Sequence, residues 1–458
     1  MNKLTLLIII IIIIIASFLR LYNIAELPPG LYPDEAIYAN NGVEAWETVP
    51  PAGGLKVFYP ENNGREGLWP NIIGFFIVKF GHEPWVPRSV AAVFGILTVL
   101  GAYFLTKELF KRPVIALLSS FLLATSFWHI LFSRIGFRAI MAPFFLVWGI
   151  YFLLSSLNKL KFIAPNNQNN QSPVQSIGQG RAILFSLLGG IFYGLGFHTY
   201  IAYRATPLLI LIIILLYWLQ NKEWQIRKKI LLVASSYTLM AIIVFAPLGY
   251  HFIKNPQDFM GRTTQVSIFS SPTPIKDLTI NILKTAGMFN FGGDYNWRHN
   301  YAGKPELFWP VGVLFLIGVI LGIVKFFTNS KEKKIFGILF AWISVAALPV
   351  VVSNEGIPHA LRAIIMIPPI FILAGFGGLY IYELVKNAMT RHSILWVFKV
   401  FIFVFFSLLI FEAYNTYFIE WGQNPNVQGA FSADYVQIGR ELNSLPKETP
   451  KYVIVEAG

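Results

Sequence analysis

Long apolar runs separated by short polar stretches set the pattern of this chain. A helix needs roughly twenty apolar residues to cross a bilayer. Runs of that order fall near 4–21, 89–106, 113–130, 139–157, 182–198, 205–219, 230–250, 307–327, 335–352, 362–382 and 394–412. A shorter run, Leu68 to Phe80, contains Pro70 and Lys79 and reads as an interfacial or re-entrant segment. The pattern therefore predicts an all-α polytopic membrane protein of about eleven transmembrane helices, with juxtamembrane helices in the loop after the first span. Met1 to Phe18 has the basic start of a cleaved signal peptide, but its apolar run is nearly long enough to span and many others follow. It is better read as a retained first helix.

Composition supports lipid as the solvent. With 55% hydrophobic and 13% charged residues, the 458-residue chain carries more apolar side chain than soluble cores can hide. The 41 Phe, 12 Trp and 20 Tyr suit bilayer interfaces and packed helical bundles. A formal charge of +13 could point to nucleic acid, yet the Lys and Arg sit in short clusters between apolar runs, so no nucleic-acid partner is expected. The clusters act as topology signals. Eleven spans with a cytoplasmic N-terminus put Lys107/Lys111/Arg112, Lys159/Lys161/Arg181, Lys222/Arg227/Lys228/Lys229, Lys325/Lys331/Lys333/Lys334 and Lys386/Arg391 inside. Counting 68–80 as a span would put them all outside.

The expected protein is a multi-pass component of the plasma or inner membrane. Its membrane domain covers 1–412, with outer loops 22–88 and 251–306, and an outer segment covers 413–458. The stretch 165–180 reads as a disordered cytoplasmic connector. Lys451 to Gly458 reads as the start of a strand; since a lone strand is unstable, this piece either packs on the membrane domain or opens an outer α/β domain. With no Cys, disulfides, thiolate metal sites and cysteine nucleophiles are excluded.

Candidate chemistry lies on the outer side. Asp34 and Glu35 stand where a Pro-rich loop, Pro28-Pro29-Gly30-Leu31-Tyr32-Pro33, turns into a helical pattern. Asp34 as an N-cap with Glu35 in the first turn explains such a pair, and so does a carboxylate poised as general base toward an acceptor hydroxyl. Gly64-Arg65-Glu66-Gly67 places a second charge pair before the short interfacial run. Arg134, Arg138, Arg204 and Arg362 sit at span ends, where an Arg is either a snorkelling anchor or an anion ligand. Four of them on the side that usually has few cations favour a phosphate or pyrophosphate site. The stretch Phe289 to Tyr301, with Asp294, suits a sugar or lipid contact loop or an ordinary packed loop. His299 and His359 are too isolated in sequence to propose a metal, and no metal or cofactor is expected.

These pieces resemble the GT-C superfamily of membrane glycosyltransferases, in particular family-39 members related to protein O-mannosyltransferases and aminoarabinose transferases. The likeness runs through Phe18-Leu19-Arg20-Leu21-Tyr22, Asp34-Glu35 with Tyr38, Gly64-Arg65-Glu66-Gly67-Leu68, Arg88, Ser133-Arg134 and His359-Ala360-Leu361-Arg362. The resemblance implies inverting transfer from a dolichyl- or undecaprenyl-linked sugar phosphate to an acceptor protein, lipid or glycan, with no nucleotide at the site. The base role falls on Asp34 with Glu35 beside it. The leaving polyprenyl phosphate needs preorganised cations, for which Arg134, Arg138 and Arg362 are the candidates. Tyr38, Arg65, Glu66, His198, Tyr200, Arg204, Asp294 and His359 are candidate substrate contacts. Where eukaryotic mannosyltransferases carry a large insert between the seventh and eighth spans, this chain has only 251–306. A transporter of a lipid-linked or anionic substrate is the alternative, against which stand the lack of an inverted repeat and of paired Gly/Pro-broken spans.

Overall fold

The computed structural model describes residues 2–48, 53–61, 63–160, 173–329, 332–388, 392–446 and 448–452. It is a bundle of long helices whose connecting segments gather at one end into a cap over a cavity. Helix α1 (Lys3–Leu21) starts where the Asn2 side chain accepts from the Thr5 amide at 2.8 Å. It buries Ile12, Ala16 and Leu19 while leaving Leu4, Ile14 and Phe18 exposed. An apolar face left open along a whole helix suits lipid contact and not water.

The cap begins with α2 (Pro33–Glu47), a two-residue hairpin of β1 (Phe58–Tyr59) and β2 (Arg65–Glu66), and α3 (Leu68–Phe80). In the hairpin Phe58 faces Glu66 and Tyr59 faces Arg65. Helix α3 has 13 residues, too short to span, as the sequence predicts for 68–80. It crosses α2 backbone to backbone. A Cβ on Gly42 would lie 2.4 Å from the Pro70 carbonyl oxygen, and one on Gly74 would lie 2.3 Å from that of Gly42. Only glycine permits this approach.

The bundle continues with α4 (Trp85–Phe110), α5 (Pro113–Ala124), α6 (Phe127–Arg134), α7 (Met141–Lys159), α8 (Pro173–Gly196), α9 (Thr206–Gln220) and α10 (Trp224–Lys254). After α11 (Pro256–Gln265) and α12 (Pro274–Gly287) in the cap come α13 (Trp309–Thr328), α14 (Lys333–Val351), α15 (Ile367–Ala388) and α16 (His392–Tyr414). Helix α7 packs on α4 and α8, α8 on α10, and α15 on α5 and α13. Among the described residues nine helices are long and apolar enough to cross a membrane, or ten if α5 and α6, bent by 58°, form one span. Helix α8, with 24 residues, stands in the place of the expected 182–198 run.

The bend between α5 and α6 frees backbone carbonyls that lipid cannot satisfy. Arg20, buried from α1, meets them: its Nη1 donates to the Ala124 carbonyl at 3.0 Å and its Nη2 lies 2.7 Å from His129 Nδ1.

Two expectations shift. Residues 165–172 lie outside the described residues, but 173–180 already belong to α8, so this part of the expected connector is helix. At the other end the helix does not stop near 412: a π-helical stretch, Asn415–Trp421, continues it. There Tyr22 meets the Tyr414 ring at 6.1 Å and the Phe418 ring at 5.4 Å, and Trp421 Nε1 donates to the Trp297 carbonyl at 3.0 Å. Helices α17 (Pro425–Ala430) and α18 (Ala433–Ser444) follow, with Phe431 buried against Gly30 of the first loop. Residues 453–458, most of the expected final strand, lie outside the described residues.

Candidate active site

The chain enters α2 in extended conformation at Tyr32, its N-cap, and Pro33 takes the first helical position. Asp34 is therefore the second helical residue and not the cap. Glu35, third in the helix, closes the end: its Oε2 accepts from the Tyr32 amide at 3.2 Å. Its other oxygen is fully buried, accepting from the Gly136 amide at 2.7 Å and from Arg88 Nε at 3.2 Å. Arg88 in turn donates to the Pro28 carbonyl at 2.9 Å and to that of Gly30. Glu35 thus ties α2, α4 and the 135–137 turn together. This corrects its expected catalytic role, since no face of the carboxylate is left for an acceptor. Successive helical residues turn by about 100°, which carries Asp34 out of this lock and onto the wall of a cavity.

The cavity has a volume of about 830 Å³ and draws its walls from both large cap segments. Five Arg line it (Arg65, Arg138, Arg204, Arg298 and Arg362) against two carboxylates, Asp34 and Glu355. Behind the wall the buried Glu66 holds two of the five, accepting from Arg138 Nη1 at 2.7 Å and Arg204 Nη2 at 3.1 Å. Arg204 also donates to the Phe259 carbonyl at 2.7 Å. Arg362 donates to Glu355 Oε2 at 3.1 Å and to the Ser353 hydroxyl. Arg298 lies 4.3 Å over the Tyr32 ring.

Arg65 differs from the others. It is 2% exposed and stacks 5.1 Å from the Tyr38 ring. One nitrogen donates to the Glu61 carbonyl, while Nε and Nη1 find no hydrogen-bond partner among the described residues. Burial lowers its pKa, partly offset by the Tyr38 and Asp34 oxygens. Burial also pushes the Tyr38 phenol up to about 12, so this hydroxyl remains a neutral donor.

Across the cavity His299 Nδ1 lies 3.2 Å from Asp294 Oδ2, and His359 Nδ1 lies 3.8 Å from the same oxygen. The two imidazoles stack at 4.8 Å. The sequence expectation that these histidines are isolated is therefore corrected: 60 residues apart in the chain, they are neighbours in the fold.

Of the sequence candidates, Asp34, Tyr38, Arg65, Arg138, Tyr200, Arg204, His359 and Arg362 line the cavity, and Glu66 and Asp294 support it from behind. Arg134 does not. Its guanidinium turns to the end of α1, donating to the Leu19, Asn23 and Leu27 carbonyls at 3.2–3.3 Å beneath Tyr417 and Phe418. It is a structural clamp, which corrects the phosphate role expected of it. His198 is also elsewhere, with Nε2 3.0 Å from the Val244 carbonyl. Sequence reasoning missed Tyr32, Arg298, His299 and Glu355. Arg298 and His299 lie inside the aromatic loop that attracted notice through Asp294, and nothing in the sequence says which of its residues turn inward.

No family model matches this chain, and no curated protein matches its sequence. Solved structures do match. The Archaeoglobus fulgidus oligosaccharyltransferase in the apo form aligns with TM-score 0.55 at 14% identity, over 97% of this chain and 58% of that one. The same enzyme in complex with an inhibitory peptide and a dolichol-phosphate gives 0.54 at 15% identity, over 94% and 56%. ArnT from Cupriavidus metallidurans bound to undecaprenyl phosphate gives 0.54 at 14% identity, over all of this chain and 84% of that one. The chain thus spans somewhat more than half the length of the archaeal proteins. At these identities the likeness establishes the fold alone: a polytopic membrane bundle like that of these proteins.

Proposed function

We propose that the protein is an inverting glycosyltransferase that moves a sugar from a polyprenyl-phosphate carrier to an acceptor hydroxyl on the outer face of the membrane. One observation carries the reading: a carboxylate at a helix start, Asp34, shares a chamber with five Arg, one of which keeps two buried nitrogens without partners among the described residues. Buried guanidinium nitrogens left without an acceptor are costly unless an anion completes them. Oxygen-rich anions such as phosphate fit the guanidinium fork.

In the proposed reaction the acceptor oxygen attacks the anomeric carbon and gives its proton to Asp34. The bond to the phosphate oxygen breaks on the opposite side, and the electron pair leaves with a polyprenyl phosphate held by Arg65, Arg138 and Arg362. Attack opposite the leaving group inverts the anomeric centre. The fold neighbours bound to undecaprenyl phosphate and dolichol-phosphate support a lipid carrier. The outer-face assignment rests on the Lys and Arg clusters at the other end of the bundle, such as Lys111 and Arg112 after α4.

Incubating purified protein in detergent with a panel of polyprenyl-phosphate sugars and candidate acceptors tests the proposal by mass spectrometry. One donor is expected to disappear with release of polyprenyl phosphate. If every donor survives in detergent while a labelled donor crosses vesicle membranes, the protein is a transporter instead.

A further inference from the structure

We infer that Asp294, His299 and His359 form a binding site for one divalent transition-metal ion of the Zn²⁺ class on the wall of the Arg-lined cavity. One ligand atom from each residue lies within 4.8 Å of the other two. A four-coordinate ion with bonds of about 2.0–2.1 Å holds neighbouring ligands roughly 3.3 Å apart. Asp294 Oδ2 is already 3.2 Å from one imidazole nitrogen and 3.8 Å from the other, so closure asks chiefly that the two imidazoles, whose ligand atoms lie within 4.8 Å of each other, turn together onto the ion. A hydrogen bond accounts for the first distance but not the second. Yet both rings present Nδ1 to the same oxygen, stacked with 26° between their planes. Convergence of two imidazoles and a carboxylate on one point is what a borderline cation requires.

The carboxylate is held as a metal ligand would be. Asp294 Oδ1 accepts from the Asn296 amide at 2.8 Å, and Oδ2 from the Ala360 amide at 2.9 Å. Such outer contacts fix the orientation of a ligand before the ion arrives. Asp294 and His299 are 4% and 7% exposed, which limits competition from water. The Arg362 amide lies 3.4 Å from His359 Nδ1, a long contact that a small turn of the ring exchanges for the ion. Because both histidines line the cavity, the fourth position opens into it, the arrangement of sites that keep an exchangeable ligand. Asp294 supplies a single negative charge, and Arg298 and Arg362 line the same cavity as the two histidines, so an anionic fourth ligand suits the site. The site shares its cavity with the proposed reaction, but its test needs no sugar donor.

Full-length protein in detergent, stripped with a chelator and dialysed against Zn²⁺ or Co²⁺, should retain one ion per chain by elemental mass spectrometry. The Co²⁺ form should show the visible absorption of four-coordinate cobalt. His299→Ala and His359→Ala should each weaken binding at least tenfold, whereas His251→Ala, at the half-exposed His251–Asp258 pair, should not. Spin-echo modulation of Cu²⁺-loaded wild-type protein needs no variant and should count two imidazole ligands. Substoichiometric metal, fewer than two imidazoles, or full binding in a folded His299→Ala/His359→Ala double variant would overturn the inference.

Discussion

Asp34 and Glu35 are adjacent acids with different work, and the difference is one of rotation. The sequence marks the pair as notable but not which member faces the chamber, because that depends on where the helix begins. With Tyr32 as cap, Glu35 turns to Arg88 and Asp34 to the cavity. Arg134 and Arg138 pose the same problem. Four residues apart, they would share a face on a continuous helix, but α6 ends at Arg134 and a separate turn begins at Arg138. One therefore clamps α1 and the other meets Glu66. The expected consequences separate cleanly. Arg65→Ala, Arg138→Ala and Arg362→Ala should each cut turnover at least tenfold, about 1.4 kcal/mol of transition-state stabilisation, with only partial rescue by Lys. Arg134→Ala should lower thermal stability and leave turnover per folded molecule close to wild type. Wild-type rates in all three cavity variants would return those Arg to interfacial anchors.

At the scale of elements, the apolar runs were legible because lipid imposes a length that composition alone reveals. The short α3 was legible for the same reason. What was not read was the 58° break between α5 and α6: Thr125 and Ser126 stand at it and the Ser126 side chain caps α6, but small polar residues also sit inside a helix here, as Ser119 and Ser120 do in α5. The break depends on a distant residue: Arg20 reaches the Ala124 and Leu123 carbonyls from α1. Removing it leaves a carbonyl buried without a donor, a cost of about 1–3 kcal/mol. Arg20→Met, similar in length and apolar, should accordingly lower the melting temperature in detergent. An unchanged melting curve would show that the break holds itself. The loop from 288 to 308 was half legible: its composition flagged a contact loop, while the pairing of His299 with His359 requires two loops to meet and leaves no mark in either.

For the molecule as a whole, the bundle and its capped cavity follow from alternating spans that return both long loops, 22–88 and 251–306, to the same end. Reporter fusions after residues 112, 229 and 334 should report cytoplasm, and fusions within 251–306 should report the outside. Two or more reversed signals would invert the orientation and separate the chamber from its lipid-linked donor. The central claim joins this architecture to chemistry at one carboxylate. A hydroxyl is a poor nucleophile while it keeps its proton, and the chain has no Cys for a covalent route. Asn in place of Asp34 preserves size and removes the carboxylate charge while leaving the helix end closed by Tyr32 and Glu35. The decisive measurement is release of polyprenyl phosphate by Asp34→Asn at saturating donor, with donor binding measured on the same preparation. The account predicts unchanged binding and release reduced about a hundredfold or more; release at the wild-type rate would contradict it.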